Sequence, residues 1–87
     1  MLRRRKIPHN SETIRKAARE AVAAVARRPV HDEQCVVSTG MIDSLSVLKL
    51  IVILEKKLRI LIPREQVQPE DFDSVEIILD TLERVAR

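Results

Sequence analysis

A chain of 87 residues, 45% hydrophobic and with a net charge of +3, makes one small domain with a single core and no room for a deep catalytic cleft. Phe72 is the only aromatic residue and Cys35 the only cysteine, so the core is aliphatic and neither an internal disulfide nor a cysteine-only metal site is open to it. A single glycine and many strong helix formers point to an all-α domain.

Residues 1–9 read as a flexible basic arm and residues 10–87 as the folded domain. Residues 1–34 carry nine Lys/Arg against four Asp/Glu, whereas the remainder carries seven against nine, so the basic excess is N-terminal. Arg3-Arg4-Arg5-Lys6 resembles the start of a secretory signal, but Pro8, His9, Asn10 and Glu12 follow where an apolar stretch is required. No segment has the length of a transmembrane span, and the cytoplasm is the expected location. The arm also frames the alternative reading, a small basic helical protein that binds nucleic acid. That reading lacks a base-reading motif and any aromatic platform for stacking, and no stable nucleic-acid partner is expected. Salt-sensitive binding to DNA or RNA that is lost on deleting residues 1–6 is its test.

Asn10 and Ser11 are both N-cap residues for a first helix. Ile14, Ala17, Ala18, Ala21, Val22 and Val25 recur at three- and four-residue spacing up to about Arg27 or Arg28, and Pro29 stops the pattern. Arg15, Lys16, Arg19 and Glu20 fall on the solvated side. Residues 29–43 lack periodicity and form a long connection, with Val30, Val36, Val37 and Met41 spaced to tack it onto a core and Ser38-Thr39-Gly40 as a turn. Loops of this length in small domains are often functional.

A second helix begins at Asp43 or Ser44 and runs to about Leu58. Leu45, Leu48, Ile51, Val52 and Leu58 mark its core stripe, widened by Val47, Leu50, Ile53 and Leu54. A helix apolar around most of its circumference is expected at the centre of a bundle. Each such side chain contributes roughly 1.5–3 kcal/mol on burial. Ile51-Val52-Ile53 alone also suits a buried strand; the length of the apolar run and Lys56-Lys57 favour helix. Pro63 ends the following Ile60-Leu61-Ile62, and Pro69-Glu70-Asp71-Phe72 reads as one short helical turn with Pro at its first position. Asp73 and Glu76 have capping-box spacing and open a last helix whose buried stripe is Val75, Ile78, Leu79, Leu82 and Val85. The expected architecture is three main helices plus a short one.

Chemistry concentrates at Gly40-Met41-Ile42-Asp43-Ser44-Leu45, where a turn meets the apolar helix. A serine at the positive end of a helix dipole is well placed to hold a phosphate ester. As a hydrolytic nucleophile Ser44 has only His9 or His31 to serve as base, and the Gly-x-Ser-x-Gly elbow is absent. The bland reading is a helix cap, and Asp73-Ser74-Val75 repeats the same pattern at the last helix. Ser44 differs in its setting, with a long loop and a glycine before it and the most apolar helix after it.

From Gly40 to Pro63 the chain resembles the acyl carrier protein family, with an Asp43-Ser44-Leu45 step, an apolar helix bearing Leu54-Glu55 near its end, and Ile62-Pro63 soon after. Pro69-Glu70-Asp71-Phe72-Asp73-Ser74 is similar to the short third and final fourth helices of carriers, and the first helix agrees in pattern only. The resemblance implies a four-helix carrier bundle, itself non-catalytic, in which Ser44 receives 4′-phosphopantetheine from coenzyme A by the action of a phosphopantetheinyl transferase. The thiol of that arm would hold an acyl or aminoacyl group as a thioester. Asp43 matches the family's preceding acid, and Met41, Ile42, Leu45, Val47 and Lys49 fall where the arm or partner enzymes would touch. The implied partners are the transferase and an acyl- or aminoacyl-activating ligase or synthase, met transiently by a monomer.

Two departures narrow the resemblance. Gly40 lies four residues before Ser44, where carriers of fatty-acid synthesis usually have three. The form Thr39-Gly40-x-x-Asp43-Ser44-Leu45 is more similar to D-alanyl carriers and other stand-alone carriers served by adenylating ligases. The second helix is basic, with Lys49, Lys56, Lys57 and then Arg59 against Glu55, whereas housekeeping carriers are acidic there. Partners with basic docking patches would be repelled. The expectation is therefore a specialised pathway with its own ligase or synthase.

Overall fold

The computed structural model describes residues 10–87, and the basic arm of residues 1–9 lies outside them. Among the described residues the chain is all-helical with no strand, built from α1 (Ser11–Ala26), α2 (Ser44–Leu58) and α3 (Val75–Val85). Between α2 and α3 lie two 3-10 turns, Arg64–Gln66 and Pro69–Phe72.

Of the two candidate caps for α1, Asn10 takes the role: its side-chain oxygen accepts the Thr13 N–H at 2.8 Å. α1 and α2 end by the same device. Arg27 and Arg59 adopt left-handed φ values of 63° and 57°, and their N–H groups turn back to the carbonyls of Ala23 and Glu55. Glycine usually fills that position, because a side chain there costs about 1–2 kcal/mol.

α1 packs against both α2 and α3, and so occupies the middle of the bundle. Ala18 and Ala21 are completely buried on it, their small side chains letting two neighbours approach at once. This corrects the expectation that α2 is central. α2 buries Val47, Leu50, Ile51, Leu54 and Leu58, but leaves Leu45 and Leu48 68% and 50% exposed and Val52 exposed beside them. Leu45, Leu48 and Val52 thus do not belong to the core stripe. The apolar run on α2 exceeds what one neighbouring helix and the Pro69–Phe72 turn can cover.

The connection of residues 27–43 carries no helix or strand and is fastened at several points. Val36 is fully buried, and Val30, Val37 and Met41 pack on the core beside it. A tight reversal through Gly40, at φ 79°, returns the Ile42 N–H to the Val36 carbonyl at 2.8 Å. The Asp73 carboxylate accepts the N–H groups of Val37 and Ser38 at 2.7 and 3.0 Å, and the Asp73 carbonyl accepts that of Val36. Arg15 and Arg19, read from sequence as solvated, instead converge on Asp32 at 2.9 and 2.8 Å, and Arg15 also pairs with Glu76. Together they tie α1, the connection and the start of α3. The two guanidinium groups hold the Asp32 carboxyl down at about 2, Arg19 contributing most.

Asp73 is therefore not the cap of α3. Ser74 is, its hydroxyl accepting the Ile77 N–H at 3.2 Å, and the Asp73–Glu76 capping box does not form. Phe72 and Ile78 fill the core with no exposure, while Leu79 is only half-buried. At the far end Leu61 and Arg87 exchange two backbone hydrogen bonds of 2.9 Å, which hold the last residue against the segment after α2.

Candidate functional site

α2 starts where the sequence allows two starting points, and Asp43 resolves them. Its carboxylate oxygen accepts the Ser46 N–H at 2.9 Å, and its carbonyl accepts the Val47 N–H at 3.0 Å. Asp43 is the N-cap and Ser44 the first helical residue. The bonds from Ser46, assisted by the charge of Lys49, keep the Asp43 carboxyl below the usual carboxylate range. A fixed negative charge thus sits at the positive end of α2, exposed to solvent.

With Asp43 doing the capping, the Ser44 hydroxyl is left over. Ser44 is exposed and its side chain makes no hydrogen bond to any described residue. The N–H groups of Ser44 and Leu45 likewise find no backbone or side-chain acceptor, as expected in the first turn of a helix. A hydroxyl with no partner, beside two outward-facing donors, is accessible to an enzyme and suited to carrying an anionic ester. Nothing in the local geometry activates it as a nucleophile, because Asp43 is committed to the backbone of its own helix. His31 is exposed within the connection. No group of three or more His, Cys, Asp or Glu side chains among the described residues is arranged to hold a metal ion.

Beside Ser44 lies an open hollow of about 210 Å³ between α2 and the segment that includes the 3-10 turns. Val47, Leu48, Ile51, Val67 and Pro69 give it an apolar lining, and Arg64 and Gln68 complete it together with Ser44. Arg64 is held in place by Glu55, at 2.8 Å, and by the carbonyl of Ile62, at 2.8 Å. That pairing draws the Glu55 carboxyl below its ordinary value.

The residues picked out from sequence separate into two groups. Asp43, Ser44, Leu45 and Lys49 are exposed together at the start of α2. Ile42 and Val47 are 4% and 3% exposed and serve the core; Ile42 is fixed by its bond to Val36 and Val47 faces inward beneath the hollow. Ile42 offers no contact on the molecular surface, Val47 reaches it only at the hollow, and Met41 is half-buried against the core. Sequence reading assigned Leu48 and Val52 to the core, whereas they share the outward face with Leu45, Lys49 and Lys56, and it missed Arg64 at the hollow. The usable signal was the pair Lys49 and Lys56, whose seven-residue spacing marks the solvent side of a helix that is otherwise apolar.

No helix among the described residues is long and apolar enough to cross a membrane. No known family model matches the chain, and no curated protein or solved structure is significantly similar to it.

Proposed function

We propose that this chain is a carrier domain of the acyl carrier type, in which Ser44 is the attachment point for 4′-phosphopantetheine. One observation carries the reading: the hydroxyl at the first residue of α2 is exposed and unbonded because the preceding Asp43 takes over the capping. The residues present fit such a group. Ser44 would hold it through a phosphodiester, and the free N–H groups and dipole at the start of α2 favour the added negative charge. When bound, the group supplies a thiol on a long arm, able to carry an acyl or aminoacyl cargo as a thioester. The protein's own part is to present Ser44 on a rigid helix, to keep the attachment site open to a transferase, and to offer the apolar hollow beside it.

On this reading the three helices and the Pro69–Phe72 turn correspond to the four-helix carrier architecture, and residues 27–43 to its long first loop. The domain is non-catalytic. It acts in the cytoplasm as a monomer that meets a transferase and an acyl- or aminoacyl-activating ligase or synthase in turn. The basic second helix supports a specialised pathway over housekeeping fatty-acid synthesis. Efficient charging and extension by a housekeeping fatty-acid synthase would overturn that part.

The deciding experiment is incubation with coenzyme A and a broad-specificity phosphopantetheinyl transferase, read by intact mass. The wild type is expected to gain one phosphopantetheine group, as is Ser74→Ala, while Ser44→Ala gains none. No gain on the wild type overturns the reading. A gain that survives Ser44→Ala and disappears in Ser74→Ala moves the attachment to the other serine.

A further inference from the structure

We propose that the outward face of α2 is a docking surface for a protein partner whose own contact surface is apolar and bordered by carboxylates. The proposal rests on the carrier reading in that such a partner must come to Ser44.

Leu45, Leu48, Lys49, Val52 and Lys56 stand at i, i+3, i+4, i+7 and i+11, which places them on one side of the helix. All five are exposed. Three apolar side chains left in water contribute little to this fold, and their alignment in one row beside Ser44 gives them a common use. The two lysines run along one side of that row. Neither forms an ion pair among the described residues, whereas Lys57, on another side of the helix, is engaged with Glu20 at 3.2 Å. The single acid of α2, Glu55, is committed to Arg64 and to the Ile62 N–H at 2.9 Å. The face therefore presents apolar surface and positive charge, balanced only at its N-terminal end, where the Asp43 carboxylate feels the charge of Lys49.

Charge complementarity selects the occupant. A second copy of the chain would bring like charges together along the same row, which opposes self-association through this face. A lipid surface is poorly served by three apolar side chains, since interfacial helices depend on a broad buried apolar face. A protein surface with an apolar centre and an acidic border satisfies both halves of the row.

The test is a titration of the isotope-labelled full chain, followed by amide resonances, with two synthetic amphipathic helical peptides. Both carry the same leucine face; one is bordered by glutamates and the other by lysines. The glutamate peptide is expected to shift the amides of residues 45–56 and to bind about tenfold more tightly than the lysine peptide, with the difference shrinking at high salt. Lys49→Gln/Lys56→Gln should cancel the preference, Lys49→Glu/Lys56→Glu should reverse it, and Leu45→Ser/Leu48→Ser should weaken both peptides. These side chains are exposed, so an unchanged amide spectrum away from α2 certifies the fold of each variant. Equal binding of the two peptides, shifts mapping to another face, or no shifts with either peptide would overturn the proposal. So would shifts at residues 45–56 that appear with phosphatidylglycerol vesicles but not with the glutamate peptide, or that grow with protein concentration alone. The mass assay is independent of these outcomes: modification of Ser44 without peptide discrimination removes the docking surface and leaves the carrier reading, and the converse result does the opposite.

Discussion

The chain contains two Asp-Ser-aliphatic steps, each opening a helix, and they divide their labour in opposite ways. At α2 the aspartate caps, the serine is free and the following Leu45 lies in solvent. At α3 the serine caps, the aspartate reaches across to two N–H groups of the connection, and the following Val75 is fully packed. Ser74 is 4% exposed, so its hydroxyl is closed to any modifying enzyme, while that of Ser44 is open. The difference comes from a one-residue shift in where the helix begins relative to the same dipeptide. Capping preference is nearly equal for Asp and Ser, so local chemistry does not choose between them. At α3 the choice is made by Val37 and Ser38, whose donors claim the aspartate from more than thirty residues away.

That contrast can be broken at either step. The largest effect is on modification: Ser44→Ala should abolish it, with thermal unfolding left unchanged within about 0.5 kcal/mol as for other exposed sites. Next comes Asp73→Ala, which leaves two loop donors without their charged acceptor and should cost about 2–3 kcal/mol by chemical denaturation. Asp43→Ala removes one solvent-exposed cap and should cost clearly less. Equal losses would mean the two aspartates are not differently used. Ser74→Ala should cost about 1 kcal/mol through loss of the α3 cap while leaving modification at Ser44 intact.

Acid titration sharpens the same comparison. Burial of Asp73 tends to raise its carboxyl, but the bonds from Ser38 and Val37 outweigh this and hold it below the ordinary value. Asp32 is held lower still, from 3.8 to about 2. A carboxyl lowered on folding contributes stability that is fully present above its unfolded value and is lost as pH falls through the folded one. Stability should therefore decline from about pH 4 down to about pH 2, and Asp32→Asn should flatten that decline, as measured by denaturant unfolding across the range. The smallest effect concerns neither serine. Arg59→Gly, at the far end of α2, should stabilise by about 0.5 kcal/mol, the relief of the left-handed side chain exceeding the extra backbone entropy of glycine.

Much of the fold is legible in the sequence because its signals are local. The alanine stripe, Pro29, Pro63 and Pro69 and the capping residues give all three helices to within a residue or two at each end. The exposed face of α2 is not legible in the same way. A helix apolar almost all round contains several stripes of equal quality, and only the count of available neighbours decides which is covered. The centrality of α1 is hidden for the opposite reason, since alanine scores as weakly hydrophobic although it is the residue that lets helices come close. Ser44 and Asp43 are legible as a pair, but which of them caps is not. The grouping of Arg15 and Arg19 with Asp32 and Glu76 spans some sixty positions and leaves no local trace.

The bonds from Asp73 to the connection bear on how the molecule opens. Amides in a segment without helix or strand normally exchange with solvent quickly, yet those of Val36, Val37 and Ser38 are all held by Asp73. Their exchange should follow the first turn of α3 more closely than it follows α2, their neighbour in sequence. The stretch leading up to Ser44 and the opening of the last helix then form one cooperative unit, which frays or holds together while α2 keeps its own timetable.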